Sequence, residues 1–297
     1  MIRFLLALCY RAAYIIHHAL CLKPGKPLGH SRLIVVGAYR IGGAGKTPFC
    51  TWLAKALAAQ GKRVAILCHE YAYDEAAMLQ EHFAAAPQVK IFTTRNRYRL
   101  AHELDDSQKF DFILCDDGFE DSRLIGATTF VLLWENAPTH LRELWPLGNA
   151  RSLAKDHSGL KVEICCSDPA PEIRFVLDNI ANAKGEDLRT SVHHKQTNVF
   201  CGIGDPNRFC HDIQEQGITV TGKIFLKDHD RHFSDKLQRA MQEFPQRAFV
   251  ITEKDAVRLK YDARKPSPWH EHLYIARQKT LVNKNLGQRI LNELLNS

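Results

Sequence analysis

Two stretches of the chain combine residue types that handle phosphate and a divalent cation. The first is Gly37-Ala-Tyr-Arg-Ile-Gly42-Gly43-Ala44-Gly45-Lys46-Thr47-Pro48. Its small residues let backbone N–H groups close on phosphate oxygens. Lys46 would then reach the β- and γ-phosphates of a nucleoside triphosphate, and the Thr47 hydroxyl would bind Mg2+. The strict loop pattern has a further Gly where this chain has Arg40, and Gly42, Gly43 and Gly45 supply the flexibility instead. The second stretch is Phe110-Asp-Phe-Ile-Leu-Cys115-Asp116-Asp117-Gly118-Phe119, an apolar run ending in two carboxylates and a glycine. A carboxylate at such a strand end completes the Mg2+ shell opposite a phosphate loop. A solvated Asp-Asp-Gly turn is the plain alternative, and the company of the loop at 42–47 favours the metal reading.

Such groups need rigid elements behind them. Leu33-Ile34-Val35-Val36 is a continuous apolar run of the kind a buried parallel strand shows. After the loop, Phe49, Trp52, Leu53 and Leu57 recur at helical spacing; Gln60-Gly61-Lys62 ends the helix, and Arg63 to Cys68 reads as the next strand. Strand, glycine-rich turn, helix, strand is the setting a phosphate loop requires. The alternation continues, with strands expected near 33–36, 63–68, 89–93, 110–115, 128–134 and 161–166, a doubly wound, mostly parallel α/β sheet. After Pro169-Ala-Pro171 it restarts, with strands near 173–177, 197–201, 222–226, 247–252 and 272–275 and a closing helix at 286–295 capped by Asn285. The expected division is 1–30 for an N-terminal helix and linker, 31–170 for the phosphate-loop core and 171–297 for a smaller α/β domain.

The N-terminal segment has its own chemistry. Residues 2–22 carry only Arg3 and Arg11 as permanent charges. At ~100° per residue, Arg3, Arg11, His17 and His18 share an arc of about 120°, with Phe4, Leu5, Leu8, Ala12, Ile15, Ile16 and Leu20 over much of the rest. An amphipathic helix lying in a membrane interface fits this pattern, with Lys23 and Lys26 beyond it. A secretory signal lacks its small-x-small site, and an ordinary core-packing helix is the other alternative. Composition agrees with a folded protein, 45% hydrophobic and 25% charged, and the net charge of +7 suits an anionic partner without choosing among nucleotide, nucleic acid and lipid. Nine cysteines without a C-x-x-C spacing read as reduced, mostly buried thiols, which argues against a structural zinc site.

Taken in order, the motifs resemble those of the tetraacyldisaccharide 4′-kinase family. The family loop GNxxxGGxGKTP is similar to Gly37, Gly42-Gly43 and Gly45-Lys46-Thr47-Pro48, with Ala38 for Asn. Its Asp-Glu-x segment resembles Asp74-Glu75-Ala76; its DDGFQ resembles Asp116-Asp117-Gly118-Phe119, with Glu120 for Gln. Its LPxGPLRE resembles the run from Leu144 to Arg151-Ser152, with Ser for Glu, and its GIGxPxRF resembles Gly202 to Phe209. DHxxF/Y resembles Asp228-His229 through Phe233, and TEKDAVK resembles Thr252 to Arg258. Arg-Gly-Tyr-Gly has become His69-Glu70-Tyr71-Ala72, so the chain is a divergent member by this resemblance.

The resemblance implies transfer of the γ-phosphate of ATP, with Mg2+, to the 4′-hydroxyl of an acylated glucosamine disaccharide 1-phosphate in lipid A biosynthesis. It implies a peripheral enzyme at the cytoplasmic face of the bacterial inner membrane, touching its lipids; a monomer that binds no nucleic acid is expected. Asp74 is implied as the base, assisted by His229, while Lys46, Thr47 and Arg151 supply positive field with the metal on Thr47, Asp116 and Asp117. On its residues alone, Asp74 reads as an exposed helix start and His229 as part of a solvated polar loop. Arg95, Arg97 and Arg99 suit either the sugar phosphate or a solvated helix face. Thr252-Glu-Lys-Asp255 brings to mind a guanine-reading motif, but its Lys falls one place late; a helix cap at Thr252 is the alternative. Two rival readings are a membrane-bound nucleotide switch and a family member that binds acylated sugar without phosphorylating it.

Overall fold

In a computed structural model, residues 2–21, 25–157, 159, 161–167, 169–190, 196–228, 230–259 and 271–296 are described. The chain divides into two units, Met1–Arg174 with Leu281–Ser297, and Phe175–Thr280.

The first unit begins with helix α1 (Ile2–Cys21) and holds a six-stranded sheet: β1 (Arg32–Gly37), β2 (Val64–His69), β3 (Val89–Thr94), β4 (Phe112–Asp116), β5 (Thr128–Leu133) and β6 (Lys161–Cys165). The order is β3-β2-β4-β1-β5-β6. Every pairing is parallel. β1, β2 and β4 are buried almost end to end, which is why they read as unbroken apolar runs. Helices α2 (Lys46–Ala59), α3 (Tyr73–His82) and α4 (Arg97–Asp106) connect them. The C-terminal helix α8 (Lys284–Asn296) groups with this first unit rather than with the smaller one. It buries Leu286, Ile290 and Leu294. It begins before Asn285, whose N–H bonds to Asn283 Oδ1 at 2.9 Å, so the capping side chain lies two residues earlier than expected.

α1 differs from its expected setting. Ala7 is buried and Tyr10, Arg11, Tyr14 and His18 are half-buried along one stripe, whereas Phe4, Leu5, Leu8, Ile15, Ile16 and Leu20 are exposed. Arg11, expected among headgroups, forms an ion pair with Asp156. The helix turns polar groups toward the protein and apolar ones outward. Among the described residues, no helix is long and apolar enough to cross a membrane.

The second unit is built on a five-stranded sheet ordered β7-β11-β10-β8-β9. The strands are β7 (Ile173–Ala181), β8 (Thr197–Cys201), β9 (Val220–Phe225), β10 (Ala248–Thr252) and β11 (Leu273–Val282). Helix α5 (Pro206–Glu215) contributes Phe209, Cys210 and Ile213 to one core cluster. Helices α6 (Phe233–Glu243) and α7 (Glu253–Arg258) contribute Phe233, Leu237 and Ala256 to another.

Candidate active site

The parallel register sets Val36 of β1 opposite Asp116 of β4, so the loop leaving β1 and the carboxylates ending β4 meet at one edge of the sheet. β4 flanks β1 on one side and β5 on the other, a point of divergence where open α/β sheets bind ligands. Gly42, Gly43 and Gly45 have φ of 66°, 57° and 83°, conformations that strain other residues. Gly45 is the N-cap of α2 and no side chain closes that helix end, so its first-turn dipoles favour an anion. Gly37 must be glycine for a different reason: a Cβ there would lie 2.1 Å from Cβ of Phe119. Ala44 is buried and its carbonyl accepts the Trp134 Nε1–H at 3.0 Å, which props the loop from the end of β5.

At the start of α2 the expected residues come together. The Thr47 hydroxyl donates to Asp116 Oδ2 at 2.7 Å and lies 3.3 Å from Glu75 Oε2. Asp116 is 3% exposed, and its Oδ1 is buried without a hydrogen-bond partner. Burial first, then the negative charge of Glu75, push the Asp116 carboxyl up to about 6 against the Thr47 bond that lowers it. A buried carboxylate oxygen with no donor, facing further carboxylates, is costly unless a cation answers it. The donors are all oxygen, as Mg2+ prefers. The residues present therefore fit the metal.

Asp117 sits differently. Its φ of 57° is a left-handed conformation that non-glycine residues adopt at a cost of about 1–3 kcal/mol. Its carboxylate takes Lys46 Nζ at 3.1 Å and Arg151 Nη1 at 3.0 Å. Burial alone would raise this carboxyl; Lys46 and Arg151 outweigh burial and hold it below the usual range. Lys46, Arg151 and Asp117 thus form one charged cluster beside the Thr47–Asp116 contact.

Asp74 lies in the first turn of α3 and is fully buried, not the exposed helix start that its residues alone suggest. Its Oδ1 accepts the Glu75 N–H at 2.9 Å, and the Glu75 contact with Thr47 brings this turn beside the start of α2. His229 lies outside the described residues. Its neighbour Asp228 pairs with Lys254 at 3.3 Å and Arg258 at 3.4 Å. Arg95 and Arg99 pair with Glu70 and Glu103 at the surface, and only Arg97 of the three is half-buried. Thr252 Oγ1 accepts the Asp255 N–H at 3.1 Å, so this segment is a helix cap and not a base-reading loop. Glu75 and Trp134 were not singled out from their types. The signal for both is place: Glu75 opens a helix after β2, Trp134 follows β5, and both lie at the carboxyl edge of the sheet.

A glycine loop between a buried strand and an uncapped helix, with a Thr–carboxylate contact at the adjoining strand end, defines a P-loop phosphotransferase on a doubly wound sheet. The sequence matches the family described as LpxK, tetraacyldisaccharide-1-P 4′-kinase, over residues 4–73 and 69–295, and the chain belongs to this family. The tetraacyldisaccharide 4′-kinase of Chlamydia pneumoniae is 26% identical over 273 residues, covering 77% of this chain and 73% of that one. That of Desulfotalea psychrophila is 24% identical over 307 residues, covering 87% and 86%. In fold, LpxK from Aquifex aeolicus, solved in an "apo" form in complex with ATP, superposes with a TM-score of 0.63 at 18% identity, covering 98% of this chain and 96% of that one.

Proposed function

We propose that the chain transfers the γ-phosphate of ATP to the 4′-hydroxyl of a tetraacyldisaccharide 1-phosphate. The observation that carries this reading is the joining of Thr47, Asp116 and Glu75 at the mouth of the glycine loop, with Lys46 held beside them on Asp117. The loop N–H groups of Gly42, Gly43, Ala44 and Gly45 and the first turn at Thr47 and Pro48 hold the phosphates, and Lys46 and Arg151 neutralise charge on the transferring group. Asp116 and Thr47, with Glu75, would hold Mg2+, which would supply charge neutralisation to the phosphates. Asp117 serves Lys46 and Arg151 rather than the metal. Asp74 takes the proton of the acceptor hydroxyl. The exposed apolar face of α1 supports a peripheral seat on the cytoplasmic face of the inner membrane, where the acylated acceptor resides.

The test supplies γ-labelled ATP, Mg2+ and acylated disaccharide 1-phosphate in mixed micelles. Label transfer is expected, and Asp74→Ala should slow it by about a hundredfold or more. Absence of transfer, beside a working relative assayed in parallel, would reject the reading; a near-normal Asp74→Ala rate would reject the base.

A further inference from the structure

Two side chains on the inward stripe of α1 bond directly to one short segment, residues 151–156, and a third reaches it through Glu120. The Tyr10 hydroxyl donates to the carbonyl oxygen of Arg151 at 2.8 Å. The Tyr14 hydroxyl donates to Glu120 Oε2 at 2.8 Å, and Ser152 Oγ donates to Glu120 Oε1, also at 2.8 Å. Arg11 pairs with Asp156, whose Oδ2 accepts the Leu153 N–H at 2.8 Å. From the other side, the Arg151 N–H bonds to the Tyr39 carbonyl at 2.7 Å, and its guanidinium reaches Asp117, which also holds Lys46. The backbone of Arg151 is therefore clamped between α1 and the phosphate loop while its side chain points into the site.

A membrane anchor alone needs no such wiring, since its affinity resides in the apolar face. We propose that α1 is a working part of the transfer site, with Tyr10 and Tyr14 as positioning residues that hold Arg151 against Asp117. Tyr10 acts on the Arg151 carbonyl directly; Tyr14 acts through Glu120 and Ser152 on the next residue. The inference rests on the reading of Arg151 as a group that meets the transferring phosphate.

A kinetic double-mutant cycle tests it on the full chain in mixed micelles. Tyr10→Phe keeps the ring that meets Trp145 edge-on at 5.8 Å and removes only the hydroxyl. In the otherwise natural chain it should lower kcat about three- to tenfold, with KM for ATP within about twofold. In an Arg151→Ala background, measured with the same label, it should change kcat by less than about 1.5-fold, because the group being aimed is gone. Equal fold losses in both backgrounds, or none in the natural chain, would overturn the inference while leaving Arg151 in place. Wild-type turnover by Arg151→Ala would instead remove Arg151 from the site, and the inference with it. Melting temperatures check folding; should Tyr10→Phe melt early, the same cycle runs on Tyr14→Phe with the same expectation.

Discussion

Two buried aspartates, one in each unit, make an instructive pair. Asp116 ends β4 and Asp255 lies in the first turn of α7, and burial above all pushes each carboxyl up to about 6. Each touches a threonine hydroxyl, Thr47 at 2.7 Å and Thr252 at 2.8 Å. Their remaining partners differ in kind. Asp255 Oδ1 accepts the Gly202 N–H at 3.2 Å and pairs with Arg258 at 3.0 Å while Thr252 answers Oδ2, so both oxygens are met by donors of its own unit. Asp116 has an oxygen with no partner and carboxylate neighbours in Glu75 and Asp117. Equal shifts therefore carry opposite meanings. One carboxylate is saturated and ties a loop to a helix; the other keeps an oxygen without a donor, as the proposed cation site requires. A perturbed titration marks a candidate, and the accounting of partners decides its role.

The largest expected effect follows from the open member of the pair. Asp116→Asn keeps the bond from Thr47 and loses the charge that the metal requires. Label transfer at saturating ATP should fall by about a thousandfold, the equivalent of about 4 kcal/mol of lost charge stabilisation. Turnover within tenfold of the natural chain would break the comparison at its functional end.

The saturated member should fail structurally. Arg258 is only 3% exposed in its side chain, and Asp255→Ala leaves that cation buried with its closest carboxylate gone. Breaking a buried pair costs about 3 kcal/mol or more. Amides of β8 and β10 should exchange with solvent correspondingly faster, by about two orders of magnitude, while β1 and β4 keep their protection. Unchanged exchange in β8 and β10 would mean that Asp255 is no tie at all.

How much of this was legible beforehand depended on whether the signal was local. The strands at 33–36, 63–68 and 110–115 stood out because parallel strands buried on both faces are continuous apolar runs. β11 extends past its expected end because its outer half alternates between exposed and half-buried residues, which no unbroken run announces. The phosphate loop, Asp116 and Asp117 were readable from type and spacing. The division of labour between the two carboxylates was not, since it depends on the left-handed turn at Asp117 that swings one of them to Lys46. Glu120 and Ser152 looked like two separate departures from the family pattern, and they are each other's hydrogen-bond partners. The polarity of α1 was plain at the level of helical phase, but phase cannot say which face meets the protein; that required the acceptors at Arg151, Glu120 and Asp156.

The smallest effect sharpens the contrast most, because its sign is the reverse of the usual one. With metal chelated, the folded chain holds the Asp116 carboxyl near 6, whereas an unfolded chain releases that proton near 3.9. Between these values the folded state binds more protons than the unfolded one, so stability from this group is full below about pH 4 and is lost as pH rises through about 6. Asp116→Asn has no such proton to lose. At pH 7 the inactive variant should therefore be the more stable chain, by roughly 2–3 kcal/mol, and the advantage should shrink to nothing near pH 4. Mg2+ should then stabilise the natural chain more than the variant, which keeps only the Glu75 carboxylate at that place. Urea midpoints of the first unit, taken across pH with and without Mg2+, read both effects. A variant less stable than the natural chain at pH 7, or an offset that ignores pH, would show that Asp116 is satisfied within the fold as Asp255 is, and the distinction between the two aspartates would be lost.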